Sequence, residues 1–273
     1  MLAFEHKNIS ELQETLINFR VLFSYHSNKI ENEKTNYKDV KEIFESEKVT
    51  NFSGDYRTLL EIQNQKECYK YIIEKFVIKK EIDEKIIKEI HKILVNGTYD
   101  EIRYAKGERP GEYKKGDYIV GIDEIGSDAK DVQKDINDLL NEVNSSKSLD
   151  YLTIGAYFHY RFEAIHPFAD GNGRVGRTLL NYYFILNNIK PLIIYDEDKK
   201  LYYECLQAMD KKQDLEPLKR FLEYEQEKTW RKKSININNL NFYLWLTWKK
   251  LQPIKIAAFL TLLLIWLFNQ RFI

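Results

Sequence analysis

The segment His166 to Arg177, HPFADGNGRVGR, constrains this chain more than any other, because it sets a turn between two helical patterns. Upstream, Tyr151 to Ile165 reads as helix, and Pro167 helps to close it by biasing His166 away from the helical region. Downstream, Val175, Leu179, Tyr183 and Leu186 recur at the spacing of one apolar helix face. Between the two, Gly171 and Gly173 permit backbone conformations that a Cβ discourages, and they let main-chain N–H groups approach a ligand closely. The loop therefore sits at a helix N-terminus, where orphan N–H groups and the helix dipole favour an anion such as phosphate. Arg174 and Arg177 lie three apart and can face one ligand. No strand pattern precedes the loop and no Gly-Lys-Ser/Thr occurs in it, which argues against a P-loop or a dinucleotide-binding turn.

The rest of the chain agrees with an all-α fold. Of 11 glycines, all but Gly54 fall between Gly97 and Gly176, so both ends are largely free of a helix-breaking residue. A helix is expected from Ser10, with Gln13 as capping-box partner, into the mid-twenties. Tyr56 to Ile78 and Ile82 to Leu94 read as core helices, and Asp128 to Val143 as an amphipathic one. Pro217 to about Glu227 reads as the last helical piece. His91 is expected to be a surface or packing residue, and His159 a packed core histidine. Between Gly97 and Gly126 only Tyr118, Ile119 and Val120 look strand-like, and Arg109 to Gly121 is expected to form a short hairpin.

Composition removes some functions. Lys plus Arg and Asp plus Glu number 42 each, so there is no overall basic field to attract nucleic acid, and a nucleic-acid partner is not expected. Cys68 and Cys205 lie far apart without metal-ligand spacing, and MLAFEHKN has no basic region followed by an apolar core. A reducing, cytoplasmic home is the expectation. Three regions are expected: 1–50 as an N-terminal region, 51–225 as the core and 226–273 as an apolar tail. Its run Ile256 to Phe268 has no charge but is shorter than the ~17 to 25 residues that span a bilayer. Docking on the core or on a second subunit, as in a homo-oligomer, is ranked ahead of membrane contact through 256–268.

HPFADGNGRVGR resembles the signature of the Fic family, HxFx(D/E)GNGRxxR, with every specified position filled. The resemblance implies an all-helical core, a β-hairpin flap beside the catalytic loop, and transfer of AMP from ATP to a hydroxyl of a protein target, itself included. It implies His166 as general base, Asp170 as the ligand of Mg²⁺, and Gly171, Asn172, Gly173, Arg174 and Arg177 as the phosphate-binding set. The flap, at Tyr118, Ile119 and Val120, is implied to pair with the target's main chain. Many relatives carry arginine after the flap's aromatic residue, whereas here Lys114 follows Tyr113.

Ser27 to Asn32, SNKIEN, is similar to the inhibitory motif (S/T)xxxE(G/N) of Fic proteins that carry their own inhibitor. The resemblance implies that Glu31 pairs with Arg177 and excludes the γ-phosphate; the competing view is that Glu31 is one of several solvated glutamates. Removal of AMP with Glu31 positioning water, and nucleotide sensing without catalysis, are the alternatives to transfer. The choice among ATP, UTP and GTP lies outside the signature.

Overall fold

A computed structural model describes residues 9–46, 52, 54–118, 126–146 and 150–231 of the chain. The chain divides into two compact units, Met1–Thr229 and Trp230–Ile273. Of the second unit only the first residues are described, so the apolar run 256–268 lies outside the described residues. No described helix is long and apolar enough to cross a membrane.

The first unit is a stack of helices: α1 (Ile9–Thr15), α2 (Ile17–Glu31), α3 (Tyr37–Ser46), α4 (Tyr56–Val77), α5 (Glu84–Leu94), α6 (Glu101–Ala105), α7 (Val132–Ser145), α8 (Tyr151–Ile165), α9 (Asn172–Leu186), α10 (Lys199–Lys212) and α11 (Glu216–Trp230). A 3-10 turn, Asp196–Asp198, precedes α10. Among the described residues there is no β-strand.

The helices start where their sequences supply a cap. Asp55, Asp83, Asp100 and Asp150 each accept a hydrogen bond from the backbone N–H three residues on, at the heads of α4, α5, α6 and α8. Such a cap contributes about 0.5–2 kcal/mol.

At the centre α8 and α9 pack on each other, with α7 against α8, α5 and α4 against α9, and α2 wedged on α4 and α9. Nearly every residue of α9 from Asn172 to Ile185 is buried, so this helix is the axis of the unit. Gly155 of α8 lets it come close: a Cβ there would lie 2.5 Å from the Phe184 ring. A satellite cluster of Val21, Val40, Ile43, Phe44 and Ile62 fixes α2 and α3 on α4.

The expected helices of 56–94 and 128–165 are present within a few residues of their expected ends. Three expectations need correction. The first helix breaks at Leu16, after Thr15 Oγ1 bonds the Glu11 carbonyl at 2.8 Å, a back-bond that bends helices; it then continues to Glu31, so SNKIE is helical. Helices α3, α6 and α10 were not expected, because each is short or presents only a narrow apolar stripe, as with Tyr202 and Cys205 on α10.

The hairpin is the third. Residues 109–118 form turns and bends, and Ile119 and Val120 lie outside the described residues. The reason is that polar groups there find other partners than a ladder. Lys114 N–H donates to the Pro167 carbonyl at 2.9 Å, and the buried Glu108 carboxylate accepts from Lys115 N–H at 2.9 Å and Tyr118 O–H at 2.7 Å.

Candidate active site

The loop hangs between α8 and α9 and is tied on three sides. Phe168 is fully buried and stacks on His91 of α5, with ring centroids 3.7 Å apart and planes 6° from parallel. His91 Nδ1 accepts from Gly111 N–H at 2.9 Å, which leaves its Nε2–H to face the Asp170 carbonyl at 3.1 Å. Burial pushes the His91 imidazole down to about 3, so it stays neutral and can hold both bonds. The Asn172 side chain closes the loop from within: Oδ1 accepts from Phe168 N–H at 2.9 Å, and Nδ2 donates to the Phe168 carbonyl at 2.8 Å. Its carboxamide thus shapes the turn, and the open side of the loop is left to the backbone.

That open side is the start of α9. Gly171 caps it in the left-handed region, at φ 82°, and as a glycine it offers no side chain to the first N–H groups of the helix. A Cβ at Gly171 would also lie 2.7 Å from Val95, so both conformation and space require glycine. The N–H groups at the start of a long helix are a ready anion cradle.

His166 stands at the end of α8 in the left-handed region, at φ 50°, with its N–H on the Phe162 carbonyl. For a residue with a Cβ this conformation is strained by about 1–3 kcal/mol. Its Nδ1 is buried without a hydrogen-bond partner. Burial, reinforced by the Lys114 ammonium and opposed by Glu31, pushes the imidazole down to about 4. Neutral at physiological pH, it is in the state that accepts a proton.

Asp170 is enclosed by guanidinium groups. Arg57 Nη2 donates to its Oδ2 at 2.8 Å, and Nη2 of Arg103 and of Arg174 stand 3.6 Å away. Burial favours the neutral acid, but Arg174, Arg57 and Arg103 outweigh it and hold the carboxyl below its usual range. Arg174 itself is 2 % exposed, with Nη1 3.4 Å from Glu61, and its Nε and Nη1 have no hydrogen-bond acceptor. Buried guanidinium N–H groups without acceptors are a capacity for an anion.

Arg177, one turn further and equally buried, is engaged by α2 through its Nε and Nη2. Its Nε donates to Ser27 Oγ at 3.1 Å, and its Nη2 to the Ser27 carbonyl at 2.9 Å and Glu31 Oε1 at 2.8 Å. Burial alone would lower the guanidinium pKa; the Glu31 carboxylate beside it raises it instead. The Glu31 carboxylate packs on the helix start, since a Cβ at Gly173 would lie 2.5 Å from its Oε1. The end of α2 is itself fastened: His26 to Asp196 at 2.6 Å, Lys199 Nζ to the Ile30 carbonyl at 2.6 Å, and Asn32 to Glu61 at 2.8 Å.

The structure thus gathers His166, Asp170, Gly171, Gly173 and Arg174 around one loop, with Ser27 and Glu31 on Arg177. Tyr118 is turned onto Glu108. His159 is a core residue, with Nε2 2.7 Å from the Tyr202 hydroxyl. The stack of His91 and the set Arg57, Glu61 and Arg103 were not foreseen. They come from 67 to 113 positions away (170 − 103 and 170 − 57), and no local pattern announces them.

A helical unit with its loop between α8 and α9 is the Fic fold: the chain superposes on a Fic domain protein of Bacteroides thetaiotaomicron with a TM-score of 0.70 at 20% identity, covering 81% of this chain and 88% of that one. It also superposes on Fic-1 of C. elegans with a TM-score of 0.69 at 24% identity, over 82% of this chain and 64% of that one. Residues 81–184 match the model of the Fic/DOC family. In sequence it is 33% identical over 180 residues to the protein adenylyltransferase Fic of Drosophila persimilis and 29% over 176 to that of Aedes aegypti. These stretches are 65% and 64% of this chain, which spans about a third (32%) of the length of either relative.

Proposed function

We propose that this chain is a protein adenylyltransferase that moves AMP from ATP to a hydroxyl of a protein target, and that it is restrained by Glu31. The observation that carries the reading is the pairing of a neutral, buried His166 with Arg174, whose Nε and Nη1 lack hydrogen-bond acceptors, on either side of the Gly171-capped start of α9. In that arrangement the triphosphate lies along the N–H groups of Asn172 to Arg174, with Arg174 on the β-phosphate and Arg177 reserved for the γ-phosphate. The target's hydroxyl gives its proton to His166 as its oxygen bonds the α-phosphorus. The bond from the α-phosphorus to the bridging oxygen breaks, and pyrophosphate leaves with that electron pair. A base so placed contributes ~10²–10⁴ in rate.

Asp170 suits Mg²⁺, being an ionised oxygen ligand at the loop. Bound there with the nucleotide, the ion would neutralise charge on the phosphates. A lone carboxylate among three arginines does not favour a bare cation, so the fit is to a metal that arrives with its polyphosphate.

The restraint follows from occupancy. Glu31 holds the Arg177 N–H groups that the γ-phosphate needs and repels that phosphate, so ATP cannot lie in the transferring pose. A hundredfold suppression requires only about 2.7 kcal/mol, within reach of a charge-assisted pair on a buried arginine. Glu31→Gly is therefore expected to raise incorporation of label from ATP about 10- to 100-fold, and His166→Ala to abolish it in that background. Equal incorporation by the parent and Glu31→Gly would remove the restraint; labelling that survives His166→Ala would remove the chemistry.

A further inference from the structure

Both oxygens of Asp170 are already covered. Oδ2 takes Arg57 Nη2 at 2.8 Å with Arg103 Nη2 at 3.6 Å, and Oδ1 has Arg174 Nη2 at 3.6 Å. Arg174 belongs to the loop, but Arg57 stands in the first turn of α4 and Arg103 on α6. A divalent cation reaching Asp170 must displace at least one guanidinium and then lie beside it, like charge against like.

The two outer arginines are held differently from Arg174. Arg57 is 45% exposed, and its Nε rests on Glu61 Oε1 at 3.0 Å. Glu61 is itself 3% exposed and also takes Asn32 Nδ2 at 2.8 Å. Arg103 is pinned at its Nη1 by Asp100 Oδ2 at 2.6 Å and lies over the Tyr99 ring at 5.7 Å. Each guanidinium thus has one end anchored and the other on Asp170, at an open rim. An anchored, half-exposed guanidinium can exchange one anion for another without leaving its place. The anion that arrives with a metal is a polyphosphate, and an arginine released by Asp170 can take it.

We propose that Arg57, anchored on Glu61 and seconded by Arg103, is a latch on Asp170. It covers the carboxylate before nucleotide binds and passes to the distal phosphates of the incoming nucleotide, so that divalent metal and nucleoside triphosphate bind together or not at all. Arg57 is then a binding residue for the polyphosphate, on the opposite side of Asp170 from the loop's own arginine. The inference rests on Asp170 as the metal-holding carboxylate.

The test measures binding on the full chain, by electron paramagnetic resonance of Mn²⁺ with and without a non-hydrolysable ATP analogue. For Arg57→Gln the latch predicts opposite changes: nucleotide-free Mn²⁺ affinity rises about tenfold, as the competing cation is gone, and analogue affinity falls about tenfold. Arg57→Lys, which keeps the charge, should restore the cover over Asp170 but only part of the analogue affinity. Both affinities unchanged, or both lowered together, would overturn the latch and leave Arg57 a static brace. Asp170→Asn separates the two readings: loss of Mn²⁺ from the analogue complex upholds Asp170 whatever Arg57 does. Retention of Mn²⁺ there would refute the reading of Asp170 and the latch with it.

Discussion

Arg174 and Arg177 lie one turn apart on α9, are equally buried, and differ in almost everything else. Arg174 faces α4 and the loop, stands 3.4 to 3.6 Å from its carboxylates, and keeps N–H groups without acceptors. Arg177 faces α2, and Ser27 and Glu31 hold it through three hydrogen bonds of 2.8 to 3.1 Å. One guanidinium is ready for an anion, and the other already has one. On the proposed reading the difference makes the restraint local: Glu31 takes the arginine meant for the last phosphate, while Arg174 one turn away keeps N–H groups free of hydrogen-bond acceptors.

The strongest way to break that comparison is Arg174→Ala. If Arg174 is the ready donor, transfer falls ~10²–10³-fold in the parent and in Glu31→Gly alike, as for the loss of one preorganised donor to a developing charge. Arg177→Ala should instead cost little in the restrained parent and much in Glu31→Gly, because only there does Arg177 meet a phosphate. Rates with labelled ATP in the four single and double variants decide this, and equal losses from the two arginines would erase the distinction.

A smaller change sharpens it. Ser27→Ala deletes the acceptor of Arg177 Nε but leaves the Ser27 carbonyl and Glu31 in place. Loss of one hydrogen bond to a charged group in the restrained state amounts to about 1.5 kcal/mol, so a several-fold rise in transfer is expected, well short of that from Glu31→Gly. A Ser27→Ala rate equal to the parent's would mean that Glu31 alone holds Arg177.

The loop could be read in the sequence because its residues are neighbours there: His166, Asp170, Gly171, Gly173 and Arg174 span nine positions and meet without long-range folding. Glu31 and Arg177, 146 positions apart, came only through resemblance to a known motif. What stayed hidden was whatever depends on how helices meet. Asn172 reads as a phosphate ligand in sequence, but its side chain is used within the turn, on Phe168. His91 sits among charged residues yet is fully buried, because its face of α5 carries Ile87, Ile90 and Leu94 against α9. Residue preference and the family resemblance both point to a hairpin over Arg109 to Gly121, but the buried Glu108, which collects N–H and O–H groups of that stretch, has no sequence signature.

The finest test concerns the proposed base, His166. His166 is lowered to about 4 by burial first and the Lys114 ammonium second, while the Glu31 carboxylate works the other way. A base with a lowered pKa stays neutral until the pH falls through that value, so the acid limb of kcat/KM should lie near 4, and activity should be flat from pH 6 to 8, where an ordinary imidazole near 6.5 would begin to protonate. Glu31→Gly removes a negative charge and should move that limb further down, whereas Lys114→Met removes a positive one and should move it up, each by a fraction of a pH unit. The same sign governs stability. Burial also lowers His91 and His159 to about 3, so all three histidines take up protons more readily in the unfolded chain, and stability falls as the pH drops from about 6.5 towards 4. Acid loss of rate in Lys114→Met at a higher pH than in the parent, with both chains still folded by circular dichroism, places the proton on His166. A limb that ignores both substitutions places it on another group.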